Sequence, residues 1–137
     1  MNKPNLSIII PAKDEEESLD LLCDEISTTL KNLNKSYEII IIDDGSKDHT
    51  FEIAKKIKLK NSNIKIIQLR GNFGKSIALQ VGFDIAIGDI IFTMDADLQD
   101  NPKEIPVFLN KIEEGYDMVS GWKKKRLDPS ITKVIPS

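Results

Sequence analysis

Short apolar runs alternate with longer segments of helical periodicity along the chain. The runs are rich in β-branched and aromatic residues, which is typical of buried strands. They cover residues 6 to 10, 38 to 42, 64 to 69, 90 to 94 and 116 to 119. Apolar residues recur at helical spacing in residues 15 to 33, 48 to 60, 75 to 87 and 102 to 114. The pattern therefore predicts strands and helices in strict alternation.

This alternation indicates βαβ units, and hence an α/β fold: a Rossmann-like three-layer α/β/α arrangement around a mainly parallel sheet. Pro106 lies inside the last helical segment. A proline there removes a backbone hydrogen bond unless the first turn of the helix is irregular. Because such sheets bind ligands beyond the carboxyl ends of their strands, the residues that follow each strand are the place to look for chemistry.

Length and charge restrict the class of protein. The chain has 137 residues with 40% apolar and 30% charged content, which predicts a single globular domain over residues 1–137. A net charge of -3 argues against a nucleic-acid partner. The first apolar stretch is too short for a signal peptide, and we expect a cytoplasmic chain. The single cysteine, Cys23, falls on the apolar stripe of the first helix and is predicted to be core.

Two carboxylates follow the fourth strand at a spacing that brings them together. Asp95 and Asp97 are two residues apart, so an extended backbone places both side chains on one face. Neighbouring carboxylates repel unless a cation lies between them, and Mg²⁺ or Mn²⁺ is the ordinary solution. Gln99 adds a third oxygen ligand at the same spacing. The competing interpretation is that Asp97 or Asp100 caps the helix starting near Pro102, but a cap needs one carboxylate and this segment has three.

A magnesium ion held by few protein ligands completes its shell with water and ligand phosphates. The sequence therefore points to a phosphorylated ligand, for which Arg70, Lys75 and the basic run of residues 123 to 126 supply positive charge. Gly74-Lys75-Ser76 resembles the end of a P-loop, but Leu69 stands where that motif needs a glycine. A phosphate-receiver module and a haloacid-type phosphatase would each need their acidic groups after the first strand.

Four blocks in this order are similar to family 2 glycosyltransferases: LSIIIPAKDEEESL, EIIIIDDGSKDHT, LRGNFGKSIALQVGFDIAIGDIIFTMDADLQDNP and DMVSGWKKKRLDP. The likeness is nearest to the branch of dolichyl-phosphate mannose synthase and polyprenyl-phosphate glycosyltransferases. It implies the nucleotide-binding half of a GT-A fold, apparently truncated on the acceptor side. It also implies roles for individual residues.

By this resemblance, Pro11, Ala12 and Glu15 line the nucleoside pocket, and Asp43 or Asp44 hydrogen-bonds the base or ribose. The metal ligands are Asp95, Asp97 and Gln99, which hold Mg²⁺ or Mn²⁺ against the diphosphate. Ala96, Lys75 and, besides its metal role, Asp95 complete the nucleotide-binding set. Asp97 and Arg126 are the implied catalytic residues, with Arg126 placed at donor or acceptor phosphate.

The implied reaction is inverting transfer of a sugar from a UDP- or GDP-linked donor to an acceptor, which the resemblance suggests is a polyprenyl phosphate. A polysaccharide or cell-wall hydroxyl acceptor is the alternative, and a non-catalytic nucleotide-binding or interaction module is another. Peripheral association with the cytoplasmic face of the membrane and a homodimer are further expectations.

Overall fold

The computed structural model describes residues 3–97, 101–113 and 131–134, the last of these as backbone. Five strands and four α-helices are present in this part of the chain. In chain order they are β1 Leu6–Ala12, α1 Leu19–Asn32, β2 Tyr37–Asp43, α2 Thr50–Lys60, β3 Ile64–Gln68, α3 Lys75–Ile85, β4 Ile90–Thr93, a 3-10 turn Pro102–Glu104, α4 Ile105–Glu113 and β5 Ile131–Val134.

The strands form one sheet in the order β3-β2-β1-β4-β5. β1 to β4 are mutually parallel, whereas β5 pairs antiparallel with β4. From β1 the chain adds β2 and β3 on one side of the sheet, and it then adds β4 on the other side of β1. In an open parallel sheet this switch point opens a crevice at the carboxyl ends of the strands.

Helices cover both faces of the sheet, so the predicted three-layer α/β/α architecture is confirmed. Alternate residues of each central strand face opposite layers, because successive side chains of a strand point to opposite sides. On β1, Ile8 and Ile10 pack in the cluster that includes α1, α2 and α4, while Ile9 packs against α3. The strands are therefore apolar along almost their whole length, as expected of a sheet buried on both faces.

The predicted elements agree with the structure in kind but differ at several ends. α1 begins at Leu19 rather than at residue 15, because the backbone N–H groups of Glu15 and Glu16 bond to Thr50, the first residue of α2, and to Asp48 in the loop before it. Pro106 is accommodated because a 3-10 turn precedes α4 and places the proline in the first helical turn. The strand predicted at residues 116 to 119 lies outside the described residues, and the antiparallel β5 was not predicted.

A buried polar network closes the amino-terminal end of the sheet. Glu38 accepts hydrogen bonds from Ser7 Oγ at 2.5 Å and from the backbone N–H of Ile87 at 2.7 Å, and it pairs with Lys65 Nζ at 2.7 Å. Gly88 N–H donates to Ser7 Oγ at 2.8 Å. This network fixes the α3–β4 connection at the end of the sheet opposite to the carboxyl ends.

Cys23 is buried in the core, as the apolar stripe predicts. Burial, with the nearby Asp20 charge, raises the pKa of its thiol to about 12. Within the described residues, no helix combines the length and apolar character that a membrane span requires.

Candidate functional site

A cavity of about 350 Å³ opens at the carboxyl ends of β1, β2 and β4, at the predicted crevice. Its wall is formed by the loops that follow β1, β2, β3 and β4 and by the start of α3. The lining residues are Pro11, Ala12, Lys13, Glu15, Asp44, Asn72, Gly74, Lys75, Asp95, Ala96 and Asp97. Seven of the residues predicted from the sequence as nucleotide ligands, together with the metal ligand Asp97, therefore lie around one cavity.

The segment after β4 contributes two carboxylates to this cavity. Met94 N–H donates to the Ile9 carbonyl at 2.9 Å, which continues the ladder between β4 and β1 up to the first aspartate. Asp95 Oδ1 then pairs with Lys75 Nζ at 2.7 Å. Between the two aspartates, the Ala96 carbonyl accepts a hydrogen bond from the buried Ser18 hydroxyl. The backbone that carries the carboxylates is thus tied to the start of α1.

The N-cap position of the following helical turn is held by a residue other than Asp97. The 3-10 turn is capped by Asn101, whose side chain accepts from Lys103 N–H at 3.0 Å. Asp97 instead borders the cavity and is exposed. Asn101 rather than Asp97 therefore occupies the N-cap position, and Asp100, the other residue of the capping interpretation, lies outside the described residues.

The pKa of Glu15 is shifted by its surroundings in the site. Burial raises the pKa of its carboxyl group, a hydrogen bond from the Ser18 hydroxyl opposes the rise, and the charges of Asp97, Asp48 and Asp95 add to it. Burial is the largest cause of the raised pKa, and the three neighbouring carboxylate charges add a negative potential that would favour a bound cation.

Asp43, the last residue of β2, and Asp44, the residue after it, have different surroundings. Asp43 is fully buried; its Oδ1 accepts from Ser46 N–H at 3.1 Å, and its Oδ2 has no hydrogen-bond partner among the described residues. Asp44 lines the cavity, and its carboxylate accepts backbone hydrogen bonds from the β3–α3 loop. Asp43 is the one predicted nucleotide ligand that does not border the cavity.

The donor set fits a hard divalent cation. Asp95 and Asp97 offer carboxylate oxygens to the same cavity, and oxygen ligands are those that Mg²⁺ and Mn²⁺ prefer. Within the described ranges, no three His, Cys, Asp or Glu side chains are grouped to hold an ion by themselves. A bound ion would therefore depend on further oxygens from its ligand and from water, as is usual for Mg²⁺ with phosphates.

The sequence analysis did not predict every residue that lines the cavity, and some residues that it did predict lie outside the described part of the chain. Lys13, Asn72 and Gly74 border the cavity but were not predicted as site residues. Each of them lies in a segment that follows a strand, and this position is the feature of the sequence that could have identified them. Gln99 and Arg126, predicted as a metal ligand and a catalytic residue, lie outside the described residues.

Several solved structures share the fold of this chain. A crystal structure of S. aureus TarS matches with a TM-score of 0.70 and 20% identity, over 96% of this chain and 47% of that one. A mannosyltransferase from Pyrobaculum calidifontis in complex with GDP-Man and Mn²⁺ matches with a TM-score of 0.71 and 19% identity, over 88% of this chain and 36% of that one.

Glucosyl-3-phosphoglycerate synthase from Mycobacterium tuberculosis, solved with Mn²⁺, UDP and phosphoglyceric acid, gives a TM-score of 0.65 and 25% identity. The match covers 85% of this chain and 42% of that one. The chain thus spans less than half the length of these proteins. The family model described as glycosyl transferase family 2 matches residues 7–134. Since that match takes in nearly the whole chain, the chain belongs to glycosyl transferase family 2.

Proposed function

We propose that this chain forms the donor-binding half of an inverting, metal-dependent glycosyltransferase that takes a sugar from a nucleoside-diphosphate sugar. The observation that carries the proposal is the cavity at the switch point, where Asp95, Asp97 and Lys75 meet in a member of this family. Two structural neighbours contain Mn²⁺ with GDP-Man or UDP, which supports a metal-bound diphosphate as the ligand class.

The nucleoside lies on the β1 and β2 side of the cavity in this proposal, against Pro11, Ala12 and Glu15. For the predicted hydrogen bond to the base or ribose both aspartates stay open: Asp44 lines the cavity, and Asp43 has a buried Oδ2 without a donor among the described residues. Asp43 does not border the cavity, so this contact would require a shift of the adjoining loop. UDP and GDP are both compatible with these residues.

The diphosphate lies on the β4 side. Asp95 and Asp97, with the predicted ligand Gln99, would hold Mg²⁺ or Mn²⁺. When bound, such an ion supplies positive charge for the departing diphosphate. Lys75 adds a cation at the same place, and preorganised charge at the point where negative charge develops is a large term in catalysis. Arg126 is proposed as a further contact to donor or acceptor phosphate.

A polyprenyl phosphate is our proposed acceptor. A phosphate monoester has a second pKa of about 6, so its oxygen is already anionic near neutral pH and a general base is dispensable. A hydroxyl acceptor would instead require a carboxylate base. That alternative stays open, as do membrane association and a homodimer, which remain predictions.

Calorimetric titration tests the proposed donor site. UDP-, GDP- and dTDP-sugars are titrated into the protein with and without Mn²⁺. We expect Mn²⁺-dependent binding of at least one donor, and a loss of affinity of at least tenfold in Asp97→Asn. Asp89→Asn makes the same charge change at an exposed residue that pairs with Lys3 before β4, so it should bind like the wild type. Absence of binding for all three donors in both conditions would refute the proposal.

A further inference from the structure

We infer that Ser18 is a positioning residue for the candidate metal site: its hydroxyl holds the Ala96 carbonyl, and with it the turn that carries Asp95 and Asp97. The hydrogen bond is a property of the fold itself. Its consequence for the affinity of a metal ion and a diphosphate rests on the proposed function.

Ser18 occupies the N-cap position of α1 without acting as a cap. Serine is favoured at this position because its oxygen accepts a hydrogen bond from an amide of the first helical turn. Within the described residues, the Ser18 side chain makes no such bond. Its hydroxyl instead donates to the carbonyl of Ala96, 78 residues further along the chain. The hydroxyl of Ser18 is therefore used for a long-range contact and not for the helix that it precedes.

The donor lies on a rigid part of the molecule. The N–H groups of Ser18 and Leu19 both donate to the Glu15 carbonyl, at 3.2 and 3.1 Å, and Leu22 N–H donates to the Ser18 carbonyl at 3.0 Å. Ser18 is only 9% exposed, and Leu19 and Leu22 are completely buried. The packing of α1 in the core therefore fixes the position from which the hydroxyl donates.

The acceptor lies in a segment that has left the strand. β4 ends at Thr93, Met94 N–H still donates to the Ile9 carbonyl at 2.9 Å, and residues 96 and 97 form a turn. The Ala96 carbonyl belongs to the peptide group that joins Ala96 to Asp97, so a hydrogen bond to this oxygen limits the rotation of that group. Ala96 also packs in the core. Ser18 therefore restricts the direction in which the backbone of Asp97 continues.

A fixed turn lowers the cost of gathering two carboxylates around an ion. Asp95 and Asp97 both line the cavity, and their charges repel each other unless a cation lies between them. Ligands that are already held in place lose less conformational entropy when the ion binds. Loss of the Ser18 hydroxyl should therefore weaken the binding of the ion together with its diphosphate.

Glu15 offers a second acceptor to the same hydroxyl. Ser18 Oγ lies 3.1 Å from Glu15 Oε2. A serine hydroxyl carries one hydrogen, so a full hydrogen bond to Ala96 excludes a full one to Glu15. A role through Glu15 would belong to the proposed nucleoside pocket and leave inorganic pyrophosphate untouched. A role through Ala96 would affect the diphosphate whatever base is attached to it, so the choice of ligand separates the two roles.

The first test needs no ligand. Crystal structures of the wild type should show Ser18 Oγ within hydrogen-bond distance of the Ala96 carbonyl oxygen, and those of Ser18→Ala a rotated or less ordered turn at residues 95 to 97. Ser27→Ala is the matched control, because it removes another hydroxyl of α1, one that accepts from Asn61 Nδ2 at 3.1 Å. A wild type without the hydrogen bond, or an unchanged turn in Ser18→Ala, would overturn the inference.

The second test is calorimetric titration with Mn²⁺-pyrophosphate and with whichever Mn²⁺-nucleoside diphosphate the wild type binds. Ser18→Ala and Ser18→Gly should each weaken both ligands by about fivefold to tenfold, which corresponds to one neutral hydrogen bond. Glycine is nearly as good as serine at an N-cap, so Ser18→Gly separates loss of the hydroxyl from loss of capping. Ser18→Thr keeps the hydroxyl, and both it and Ser27→Ala should bind like the wild type.

Loss of nucleotide affinity with unchanged pyrophosphate affinity would overturn the inference in favour of a role through Glu15. Wild-type affinity in Ser18→Gly would assign the effect to capping and overturn it as well, and so would a Ser18→Thr variant as weak as Ser18→Ala. If the wild type binds neither ligand, the proposed function fails, and the crystal structures still decide whether Ser18 holds the turn.

Discussion

Gly45 has a backbone conformation and surroundings that suit glycine. Its φ angle is +75°, in the left-handed region, and its α-carbon faces the backbone of Gly71. A residue with a Cβ atom would be strained by the dihedral angle and by the contact together. Gly45, a single residue in the turn after β2, therefore sets how closely the β2–α2 loop and the β3–α3 loop can approach each other.

Gly45→Ala should lower the free energy of unfolding by about 1 to 3 kcal/mol, the usual cost of a non-glycine residue held in a disfavoured conformation. It should also weaken nucleotide binding, because the β3–α3 loop must move. Gly71→Ala is the matched control, since a Cβ there meets nothing within 4 Å. Urea unfolding measures both variants, and equal stability of the two would contradict the account.

Side chains with charges made the site partly predictable from the sequence. Asp95 and Asp97 could be singled out from their place directly after β4, but the period of two that grouped them does not apply, because β4 ends at Thr93 and residues 96 and 97 form a turn. The partners of Asp44 could not be predicted, because they are backbone amides of a distant loop and leave no pattern in the sequence. Asn72 was missed for a related reason: its place at the cavity depends on how the loop packs against Gly45.

At the scale of elements, α3 approaches the sheet unusually closely. A Cβ atom on Gly82 would lie 2.5 Å from Ile9 Cγ2, a branched side chain that is completely buried in β1. The small residues Ala78 and Gly82 are the buried positions of this helix. This close packing keeps the amino terminus of α3, and hence Lys75, at the edge of the cavity.

Gly82→Ala should destabilise the protein, although alanine is the better helix former by about 1 kcal/mol. Overpacking a core typically costs about 1 to 3 kcal/mol, and here neither the strand nor a branched side chain can easily yield. Ser76→Ala, at an exposed position of the same helix, should change stability by less than about 0.5 kcal/mol. Thermal unfolding compares the two, and a stabilised Gly82→Ala variant would contradict the proposed packing.

The Glu38 network connects the α3–β4 turn to the sheet and predicts a pH dependence. Burial alone would raise the pKa of Glu38, but hydrogen bonds from Ile87 N–H, Lys65 and Ser7 outweigh it and leave the pKa lowered. Below the ordinary glutamate pKa of about 4.3, the unfolded chain binds the proton more readily than the folded one. The stabilising contribution is therefore complete at neutral pH and is lost as the pH falls through the lowered pKa.

Glu38→Gln should be less stable than the wild type at pH 7, and the difference should shrink as the pH falls below about 4. Urea unfolding of both proteins across this range measures the effect. Asp89→Asn, at an exposed ion pair, controls for the general response to acid. A stability difference that stays constant down to pH 3 would show that the charge of Glu38 is not responsible.

The elements themselves were largely predictable, because the apolar periodicity of four strands and four helices is strong. Their ends were not, since tertiary contacts decide them. The start of α1 depends on hydrogen bonds from the Glu15 and Glu16 N–H groups to Thr50, at the start of α2, and to Asp48 in the loop before it. The short β5 has few residues, and its antiparallel pairing with β4 has no signal in a βαβ pattern.

At the scale of the whole molecule, the sheet brings four separate loops to one edge. Residues far apart in the chain, such as Glu15, Asp44, Lys75 and Asp97, border a common cavity because parallel strands end on the same side. The chain spans 36 to 47% of the length of the structural neighbours described above. The proposed binding of a nucleoside-diphosphate sugar can be tested on this chain alone.

The central claim is that Asp95 and Asp97 share a divalent ion with the diphosphate of a nucleotide. Anomalous diffraction at the manganese edge, from crystals grown with Mn²⁺ and UDP or GDP, tests it most directly. The account predicts one strong peak within about 2.5 Å of carboxylate oxygens of these aspartates and of phosphate oxygens. A nucleotide bound elsewhere, or a cavity with nucleotide whose aspartates contact no ion, would contradict it.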